Sequence, residues 1–513
     1  MAIRVFYPGN DPYTGEIVAT ALIRSFSDAQ VQKSTYADVG TPCQAAVFIE
    51  PGDEARDLLH TLLSQGGKAL VLGRPSLAIA ENLGIALADR QFDSGIFNVE
   101  IDPARHHDAT AGQVVYTDHP FAACSPYTSR PFGRFDFADE WNNLGFGRVS
   151  AAGPWGLAVQ AEATEAKVIA WAATDRGKRL SVYATLLDRP SGSVLWFNRP
   201  VGPVDSLEWT LVEHFFANYR ADELPAFPCL VEIPFGFQAA ASPRIDCDEA
   251  VFSGRELFEL YRDLRIPFSM AIATGQPLGH EDMRLMRDVI AAGGSVVSHS
   301  VHHYAAWGGS YELALAEAMQ SKTSLEQHVS NAKPMRHAVS PFHQNPSYAV
   351  RALADAGYVG FVGGIIANDP EYLLGRAGRV PFEHRMVSHS QQCMLHGDCV
   401  ARYGNSVDVY QQSFDQHRQA RSIFGYLDHP FSPRYQYGWA DERARLAAHE
   451  QLVAHVAGRA DTWWASTGDV LGFLAKRDRA RIGARGSQLL VEGVQEDSLP
   501  PLAIQWKGRE HAA

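Results

Sequence analysis

The residues best able to do chemistry stand in two short segments of the second half of the chain. Asp246 and Asp248 lie two positions apart in a strand-like stretch, so both carboxylates would face the same side. Further along, His299 and His303 lie four positions apart, a spacing that one helical turn would bring onto one face. One aspartate with two histidines is a usual ligand set of a catalytic divalent metal such as Zn²⁺. These residues therefore predict a metal site.

Each segment also has an ordinary explanation. An acidic turn after a strand is commonly solvated, and a cluster of histidines can simply lie on the surface. His302 is an alternative ligand to either neighbour, although its side chain should point in another direction. The apolar, strand-like run before His299 favours a ligand pair that emerges from the core. Cys247, between the two acids, is interpreted as a small buried neighbour of the site rather than a reactive thiol.

A regular alternation of strand-like and helix-like stretches surrounds these residues and indicates how they are positioned. Repeated βα units of this length predict an α/β fold with a parallel barrel or sheet. In such folds the functional groups gather at the C-terminal ends of the strands. The strand-like runs that precede the candidate residues are 240–246, 266–273, 295–300 and 335–341.

The N-terminal half has a different organisation. Residues 1–90 alternate short apolar strands with helix-like stretches, which predicts a small parallel α/β unit, whereas residues 95–225 are rich in strand signals. In element order this half resembles the glutamine-amidotransferase-like fold, which serves as an accessory domain in carbohydrate enzymes. It contains no nucleophile elbow, no dinucleotide-binding glycine pattern and no P-loop, so we expect a non-catalytic domain.

The domain boundaries follow from these shifts in pattern. A stretch punctuated by prolines, 221–236, is interpreted as a linker. We therefore expect an accessory domain over 1–228, a catalytic domain over 229–475 and a C-terminal extension over 476–513. The extension contains one short strand and a polar tail that we expect to be mobile.

Composition argues against several classes of protein. The chain of 513 residues is too long for one hydrophobic core, and its formal net charge of -13 argues against binding nucleic acid or an anionic membrane. No run approaches the roughly 20 apolar residues that span a bilayer. The N-terminus reads as a strand rather than an export signal, and the six cysteines have no framework spacing. We therefore expect a cytoplasmic protein with reduced thiols.

The candidate residues occur in an order that resembles the polysaccharide deacetylase family with the NodB-type domain, the type of carbohydrate esterase family 4. The second motif of that family, His-Ser-x-x-His, matches without change at 299–303. The acidic first motif appears as Asp246-Cys247-Asp248, with a cysteine between the acids. Order and spacing agree across roughly residues 240–475.

The remaining motifs match less completely. The third, Arg-x-Pro-Tyr/Phe, is partial at 340–343, with Arg336 displaced upstream. The fifth, Leu-x-His, fits Leu427-Asp428-His429. The fourth, which contains an aspartate, has no clear counterpart, and Asp398 in the run Leu395-His396-Gly397-Asp398 is the candidate substitute.

The resemblance implies a deformed (β/α) barrel of NodB type and a metal centre. Asp248, His299 and His303 would hold a divalent metal, in the first instance Zn²⁺, that polarises an amide carbonyl and acidifies a water molecule. Asp246 would then act as the general base, and His429 would protonate the departing amine. A shift in the alignment would exchange the roles of the two aspartates.

Three further residues are expected to contact the substrate. A backbone N–H near Phe342 would share the oxyanion with the metal, and His343 stands beside it at a predicted strand end. Trp307 follows the histidines closely and could stack on the face of a sugar ring, although most aromatic residues belong to the core. We therefore predict Phe342, His343 and Trp307 as substrate-binding residues.

These observations predict a metal-dependent hydrolase that removes N-acetyl groups from a small or oligomeric carbohydrate containing an amino sugar. One alternative is a relative that opens a cyclic amide or imide, in some cases without metal. Another is a non-catalytic carbohydrate-binding protein, which the incomplete third and fourth motifs favour. The joint presence of both acids and the three histidines argues against that second alternative, because binding alone does not require them. The sequence gives no prediction of oligomeric state.

Overall fold

The computed structural model of the protein describes residues 2–38, 43–88, 112–132, 153–174, 176–204, 206–329, 334–363, 374–390, 393–402, 404–431, 436–494 and 497–513. Its α-helices are Pro12–Phe26, Arg56–Ser64, Leu77–Asn82, Ser206–Ala217, Arg255–Asp263, His280–Ala291, Tyr311–Val329, Ser347–Asp355, Gly397–Arg402, Asp408–Ala420, Glu442–Ala457 and Thr467–Arg479. Among these helices, none combines the length and the apolar character needed to cross a membrane.

One large sheet organises the N-terminal half. The strands of this half are β1 Ile3–Tyr7, β2 Val31–Thr35, β3 Ala45–Ile49, β4 Lys68–Leu72, β5 Ile85–Leu87, β6 Gly112–Tyr116, β7 Ser129–Pro131, β8 Ala161–Ala163, β9 Lys167–Thr174, β10 Arg179–Arg189 and β11 Gly192–Phe197. Nine of them form a sheet in the order β2-β1-β3-β4-β11-β10-β9-β6-β7. The pairs from β2 to β11 are parallel and the pairs from β11 to β7 are antiparallel. The predicted parallel unit and the predicted strand-rich region therefore share one sheet, and the likeness to an amidotransferase-like fold stays a prediction.

A second sheet, mostly parallel, organises the C-terminal half. The strands of this half are β12 Cys229–Leu230, β13 Ala239–Cys247, β14 Ser269–Ile272, β15 Ser295–Ser298, β16 His337–Val339, β17 Gly360–Gly363, β18 Gly378–Val380, β19 Glu383–Ser390, β20 Cys393–Met394, β21 Ile423–Asp428, β22 Thr462–Trp464, β23 Arg481–Arg485, β24 Gln488–Glu492, β25 Ala503–Trp506 and β26 Arg509–Ala512. The sheet runs β18-β19-β17-β16-β15-β14-β13-β21-β20, with β22 also paired to β13. Among the strands that the structure describes in this sheet, only β18 is antiparallel to its neighbour. The α/β class is confirmed, and the sheet curls into a half-barrel.

Strand β13 is an interior strand of this sheet. It pairs with β14 on one side and β21 on the other, and all nine of its residues are buried. A parallel strand buried on both faces normally consists of apolar residues. This strand instead carries Arg244 and Asp246, so the sequence places a charged pair in the core at the cost of removing both groups from water.

Buried polar contacts join the two halves. Arg376 donates from Nε and Nη2 to the two carboxylate oxygens of Glu213, at 2.9 and 2.7 Å. Arg24 donates from Nη1 to the carbonyl oxygen of Arg376 at 3.0 Å and from Nε to that of Arg379 at 2.7 Å. Because these groups are nearly or fully withdrawn from solvent, their pairing fixes the halves against each other.

Two expectations about the ends of the second half are corrected. The proline-punctuated stretch 221–236 is not an exposed linker, because most of it is buried and it contains β12. The tail is not a loose extension either, since β25 and β26 form a three-stranded sheet with β12. The antiparallel pairing of Cys229 with Gln505 and of Leu230 with Ile504 gives the tail its partner. The predicted domain boundaries themselves stay a prediction.

Candidate active site

The predicted functional residues come together at one edge of the parallel sheet. Asp248 follows the end of β13, His299 follows β15, His343 follows β16 and His429 follows β21. Because these strands are parallel, their C-terminal ends meet at the same edge of the half-barrel, where α/β proteins place their ligands. The sequence pattern predicted this location.

Asp248, His299 and His303 form a compact cluster of possible metal ligands. The Nε2 atoms of the two histidines lie 3.0 Å apart. Asp248 Oδ1 lies 3.3 Å from Nε2 of His299 and 3.6 Å from Nε2 of His303. All three residues contribute an atom to a group whose members lie within 4.8 Å of one another. The predicted ligand set is therefore brought together, and Asp248 rather than Asp246 is the aspartate that faces both histidines.

The chemistry of this cluster fits a divalent cation. His299 Nδ1 lies 2.9 Å from the carbonyl oxygen of Val339, so Nδ1 carries the proton and Nε2 presents its lone pair to the cluster. Asp248 Oδ1 is buried and accepts no hydrogen bond within the described chain. Burial alone would raise the pKa of Asp248, but its contact with His299 and the charges of His429 and His303 lower it, so the carboxylate is ionised. An anionic oxygen and a lone-pair nitrogen converging without a donor between them are what a cation satisfies.

The two histidines reach each other through a tight turn, not through a helix as the spacing predicted. Residues 299 to 304 lie outside any helix. Ser300 and His303 adopt φ angles of 67° and 55°, in the left-handed region that is unfavourable for residues with a Cβ. The Ser300 hydroxyl accepts the backbone N–H of His303 at 3.0 Å and so closes the turn. The prediction of a shared side was correct, and its geometric reason was wrong.

Glu317, which no sequence pattern marked as a candidate, stabilises this turn through its carboxylate. Its Oε2 accepts the backbone N–H groups of Val301 and His302, both at 2.8 Å. Its Oε1 lies 2.6 Å from Nδ1 of His302. His302 thus points away from the cluster of Asp248, His299 and His303 and is not a ligand in this arrangement. Its ring stacks on Tyr304, with the ring centroids 5.0 Å apart.

Asp246 is held by Arg244 from the same strand. Arg244 donates from Nε and Nη2 to Oδ1 and Oδ2 of Asp246, at 2.6 and 3.1 Å. Burial would raise the pKa of Asp246, but Arg244, with smaller effects of His299 and His429, outweighs burial and lowers that pKa to about 2. Asp246 is therefore ionised and oriented. Sequence reasoning looked for this arginine further along the chain, although residues two apart on a strand share a face.

His429 closes the other side of the site. Its Nε2 lies 3.8 Å from Oδ2 of Asp248, and its ring stacks on Tyr437 with centroids 4.3 Å apart and planes 11° apart. On the far edge, its Nδ1 lies 2.8 Å from Nε2 of His396. His396 belongs to the run that replaces the fourth family motif, but the residue in contact is the histidine and not Asp398.

The backbone of His429 is anchored by a buried charged group. Asp428 is fully buried, and its Oδ1 accepts the N–H of His429 at 2.8 Å. His449 Nε2 lies 3.2 Å from Oδ2 of Asp428, and Arg445 donates from Nη1 to the carbonyl oxygen of His429 at 3.0 Å. Both backbone groups of His429 are thus held by side chains. The strand end cannot rotate without breaking buried hydrogen bonds.

Two of the three predicted substrate-binding residues border the site. The Phe342 ring lies 4.7 Å from the ring of His303, and Phe342 is half-buried with a φ of 51°. His343 is buried, and its burial lowers its pKa to about 3, with the charges of Asp246 and Arg244 among the smaller effects. Both residues therefore lie beside the cluster of possible metal ligands. Their contact with substrate stays a prediction.

Trp307 is corrected from a substrate-stacking residue to a core residue. Its side chain is 0% exposed. It packs in an apolar cluster with residues such as Ala318, Ala349 and Leu353. Because no face of the indole reaches solvent, a sugar ring has nothing to stack on. Tyr304, which is 47% exposed, is the accessible aromatic side chain of this segment.

Two other sequence candidates do not take part in the cluster. Cys247 is buried and its thiol pKa is raised by burial and the flanking acids, so it is a neutral neighbour, as predicted. Arg336 is exposed and precedes β16. It therefore lies at the opposite end of the strands from the cluster of Asp248, His299 and His303. It borders a cavity of 710 Å³ that is also lined by Ser295 and His337 at the N-terminal ends of β15 and β16. That cavity is separate from the candidate active site.

Comparisons with known proteins find similarity among solved structures alone. No family model matches the chain, and no curated protein matches its sequence. Among solved structures, the carbohydrate deacetylase Agd3 is similar over 98% of this chain and 93% of its own, with a TM-score of 0.42 and 10% identity.

Two further similar structures cover about half of this chain. An assumed polysaccharide deacetylase from Mycobacterium smegmatis is similar over 50% of this chain and 98% of its own, with a TM-score of 0.38 and 15% identity. The carbohydrate esterase family 4 pseudoenzyme BA3943 from Bacillus anthracis is similar over 45% of this chain and 65% of its own, with a TM-score of 0.31 and 12% identity. Polysaccharide deacetylases, the family that the motifs resemble, thus stand among the similar solved structures. At this level of likeness, the function of the chain has to come from its own residues.

Proposed function

We propose that this protein is a divalent-metal-dependent hydrolase that removes acetyl groups from a carbohydrate, with an N-acetylated amino sugar as its substrate. One observation carries the proposal. The Asp248, His299 and His303 cluster lies between an ionised acid, Asp246, and a histidine, His429, whose Nε2 faces it. A metal site flanked by a base and an acid is the arrangement that hydrolysis of an unactivated amide requires.

Asp248, His299 and His303 are the residues that would hold the cation. When bound, a divalent cation supplies Lewis-acid polarisation of a carbonyl oxygen and makes water more acidic. Asp246, kept ionised by Arg244, accepts the proton of the attacking water. Because both of its oxygens already bind the guanidinium, Asp246 is oriented before the substrate arrives.

His429 completes the reaction from the opposite side. An amide nitrogen leaves as an amine only after it gains a proton, because the amine anion is a very poor leaving group. The Nε2 atom of His429 faces the cluster, while its Nδ1 and its backbone are held elsewhere. His429 is therefore the residue that delivers this proton, and an N-acetyl substrate is the one that needs it most.

Metal analysis combined with acetate release tests the proposal. Purified wild type should bind about one divalent ion per chain, and an Asp248→Ala, His299→Ala double variant should bind none. His302→Asn is the matched control, since His302 is adjacent in sequence but points to Glu317. That variant should keep its metal.

The metal-loaded wild type should release acetate from N-acetylated oligosaccharides, with O-acetylated ones as the comparison. Asp246→Asn and His429→Gln should retain metal and lose most, but not all, of their acetate release. A wild type that binds no metal would overturn the proposal and favour a metal-free hydrolase of cyclic amides. A metal-loaded wild type that binds glycans but cleaves none would favour a binding protein.

A further inference from the structure

His396 is a buried histidine whose ring edge meets the ring edge of His429. It lies just before the helix Gly397–Arg402, is 2% exposed, and places its Nε2 at 2.8 Å from Nδ1 of His429. Its Nδ1 is buried and has no hydrogen-bond partner within the described chain. A buried imidazole that makes one side-chain hydrogen bond, directed at a candidate catalytic residue, calls for a functional explanation.

Burial keeps His396 neutral. It lowers the pKa of His396 to about 3, with the charge of His429 as the next cause, while Asp428 and Asp246 oppose the shift. A neutral imidazole has one nitrogen lone pair, so Nε2 of His396 can accept a hydrogen bond from Nδ1–H of His429.

The other contacts of His429 leave one degree of freedom undetermined. Asp428 and Arg445 fix its backbone, and Tyr437 covers its face. A half-turn of the ring about the Cβ–Cγ bond keeps that stacking but exchanges the positions of Nδ1 and Cδ2. The contact with His396 distinguishes the two orientations, because only a nitrogen can make the hydrogen bond.

We propose that His396 is a positioning residue that selects the ring orientation of His429 in which Nε2 faces the Asp248 cluster. The inference rests on the proposed function, in which His429 protonates the leaving amine. In the rejected orientation, a carbon atom meets His396 and both ring nitrogens move, so the donor is displaced from the scissile bond. A displacement of this kind is costly to catalysis without affecting metal binding.

Amide substitutions of two lengths test this role. In His396→Gln, the longer side chain can place an amide group where Nε2 stands and restore the contact. In His396→Asn, the side chain is too short to reach it. We expect kcat to fall by about 10- to 100-fold in His396→Asn, with metal content and KM changed little, and to recover largely in His396→Gln. His455→Asn, a histidine paired with Asp415 on the outer helices, is the control.

A double-variant cycle separates positioning from a general structural effect. In the His429→Gln background, adding His396→Asn should lower kcat no further, because the residue through which it acts is already gone. Equal losses of kcat in both backgrounds would overturn the proposal. So would a His396→Gln variant as impaired as His396→Asn while both unfold cooperatively at similar urea concentrations.

A spectroscopic measurement keeps this inference distinct from the proposed function. In protein labelled with ¹⁵N-histidine, a coupling across the hydrogen bond should connect a ring nitrogen of His396 with Nδ1 of His429, and it should vanish in His396→Asn. If the coupling is present but no acetylated carbohydrate is cleaved, the proposed function fails and the orientation stands. If the wild type cleaves substrate and the coupling is absent, the positioning role fails alone.

Discussion

Arg244 and Asp246 lie two residues apart on one buried strand and form a two-point hydrogen-bonded pair, with Nε–Oδ1 and Nη2–Oδ2 distances of 2.6 and 3.1 Å. Their side chains are 4% and 1% exposed. The alternation of a strand brings both to the same face of β13, so the pair is local to the strand. The proposed base and the arginine that orients it thus lie on a single strand, beside the cluster of Asp248, His299 and His303.

Loss of this arginine should destabilise the protein. In Arg244→Met, Asp246 stays buried without its partner, and breaking a buried pair costs about 3 kcal/mol or more of unfolding free energy. Urea denaturation at neutral pH measures the effect. The double variant Arg244→Met, Asp246→Asn leaves no unpaired charge and should regain part of the loss. An Arg244→Met protein as stable as wild type would show that the pair carries no such cost.

Loss of Glu317 should weaken metal binding at a distance. Glu317→Ala removes the acceptor for two backbone N–H groups of the turn that carries His303, so the turn no longer holds the ligands together. We expect the affinity for the metal to fall by about 10- to 100-fold, as with other residues that support metal ligands. Isothermal titration with Zn²⁺ measures it. His302→Asn changes only the half-exposed imidazole that contacts Oε1 of Glu317, so it should change the metal affinity far less. Equal losses of affinity in both variants would contradict the role given to Glu317.

Trp307 should matter for stability and not for substrate recognition. Because the indole is fully buried in an apolar cluster, Trp307→Ala should lower the unfolding free energy by about 3 to 5 kcal/mol. The milder Trp307→Phe should fold, keep its metal and retain the KM of wild type. A selective rise in KM in Trp307→Phe, with stability unchanged, would restore the stacking role that the sequence predicted.

Stability should fall as the pH drops below neutrality. Burial lowers the pKa of His389 and of His417 from 6.5 to about 3, with Arg244 and His389 respectively as the next causes. The unfolded chain then binds protons that the folded chain excludes. The stabilisation is complete above about pH 6.5 and is lost as the pH falls towards 3, by about 1.4 kcal/mol per pH unit for each histidine. Urea midpoints between pH 7 and pH 5 measure the slope.

The slope also has an internal control. His389→Gln removes one of these groups, so its stability should depend less steeply on pH, by about one proton. Parallel curves for wild type and His389→Gln would contradict the burial argument.

The types and spacing of residues were enough to locate the cluster of possible metal ligands. His299 and His303 were predicted from a spacing of four, and any backbone that returns on itself within four residues brings such a pair together. The predicted helical turn was wrong. The left-handed conformations of Ser300 and His303 are instead stabilised by the Ser300 hydroxyl and the Glu317 carboxylate, which accept backbone N–H groups of the turn. Contacts between residues distant in sequence, such as those of Glu317, leave no periodic signal.

The partners of Asp246 and His429 also differ in whether the sequence could predict them. Arg244 was within reach of sequence reasoning, since alternation on a strand links it to Asp246. His396 was in the segment selected to replace a missing acid, but the choice between it and Asp398 depends on how a loop turns against β21. Trp307 failed for a related reason, because its neighbours in sequence are polar while its neighbours in space are apolar.

The fold was predicted best where hydrophobic runs are strong. Strands β1, β3, β4 and β9 to β11 coincide with the apolar runs of the N-terminal half. Strand β2 was missed, because only its first residue is buried and its remaining side chains are polar. The pairing of β12 with β25 could not be predicted, because neither short segment has a sequence pattern that identifies the other as its partner.

That last pairing bears on how the protein is made. Leu230 lies opposite Ile504 in the antiparallel pairing, and a ribosome adds Ile504 more than half of the 513-residue chain later. Until the segment that contains Ile504 has left the exit tunnel, the nascent chain carries β12 as an unpaired edge between two large sheets. Closure of this junction therefore follows the translation of both sheets, and a chaperone that shields strand edges would act on this protein in that interval.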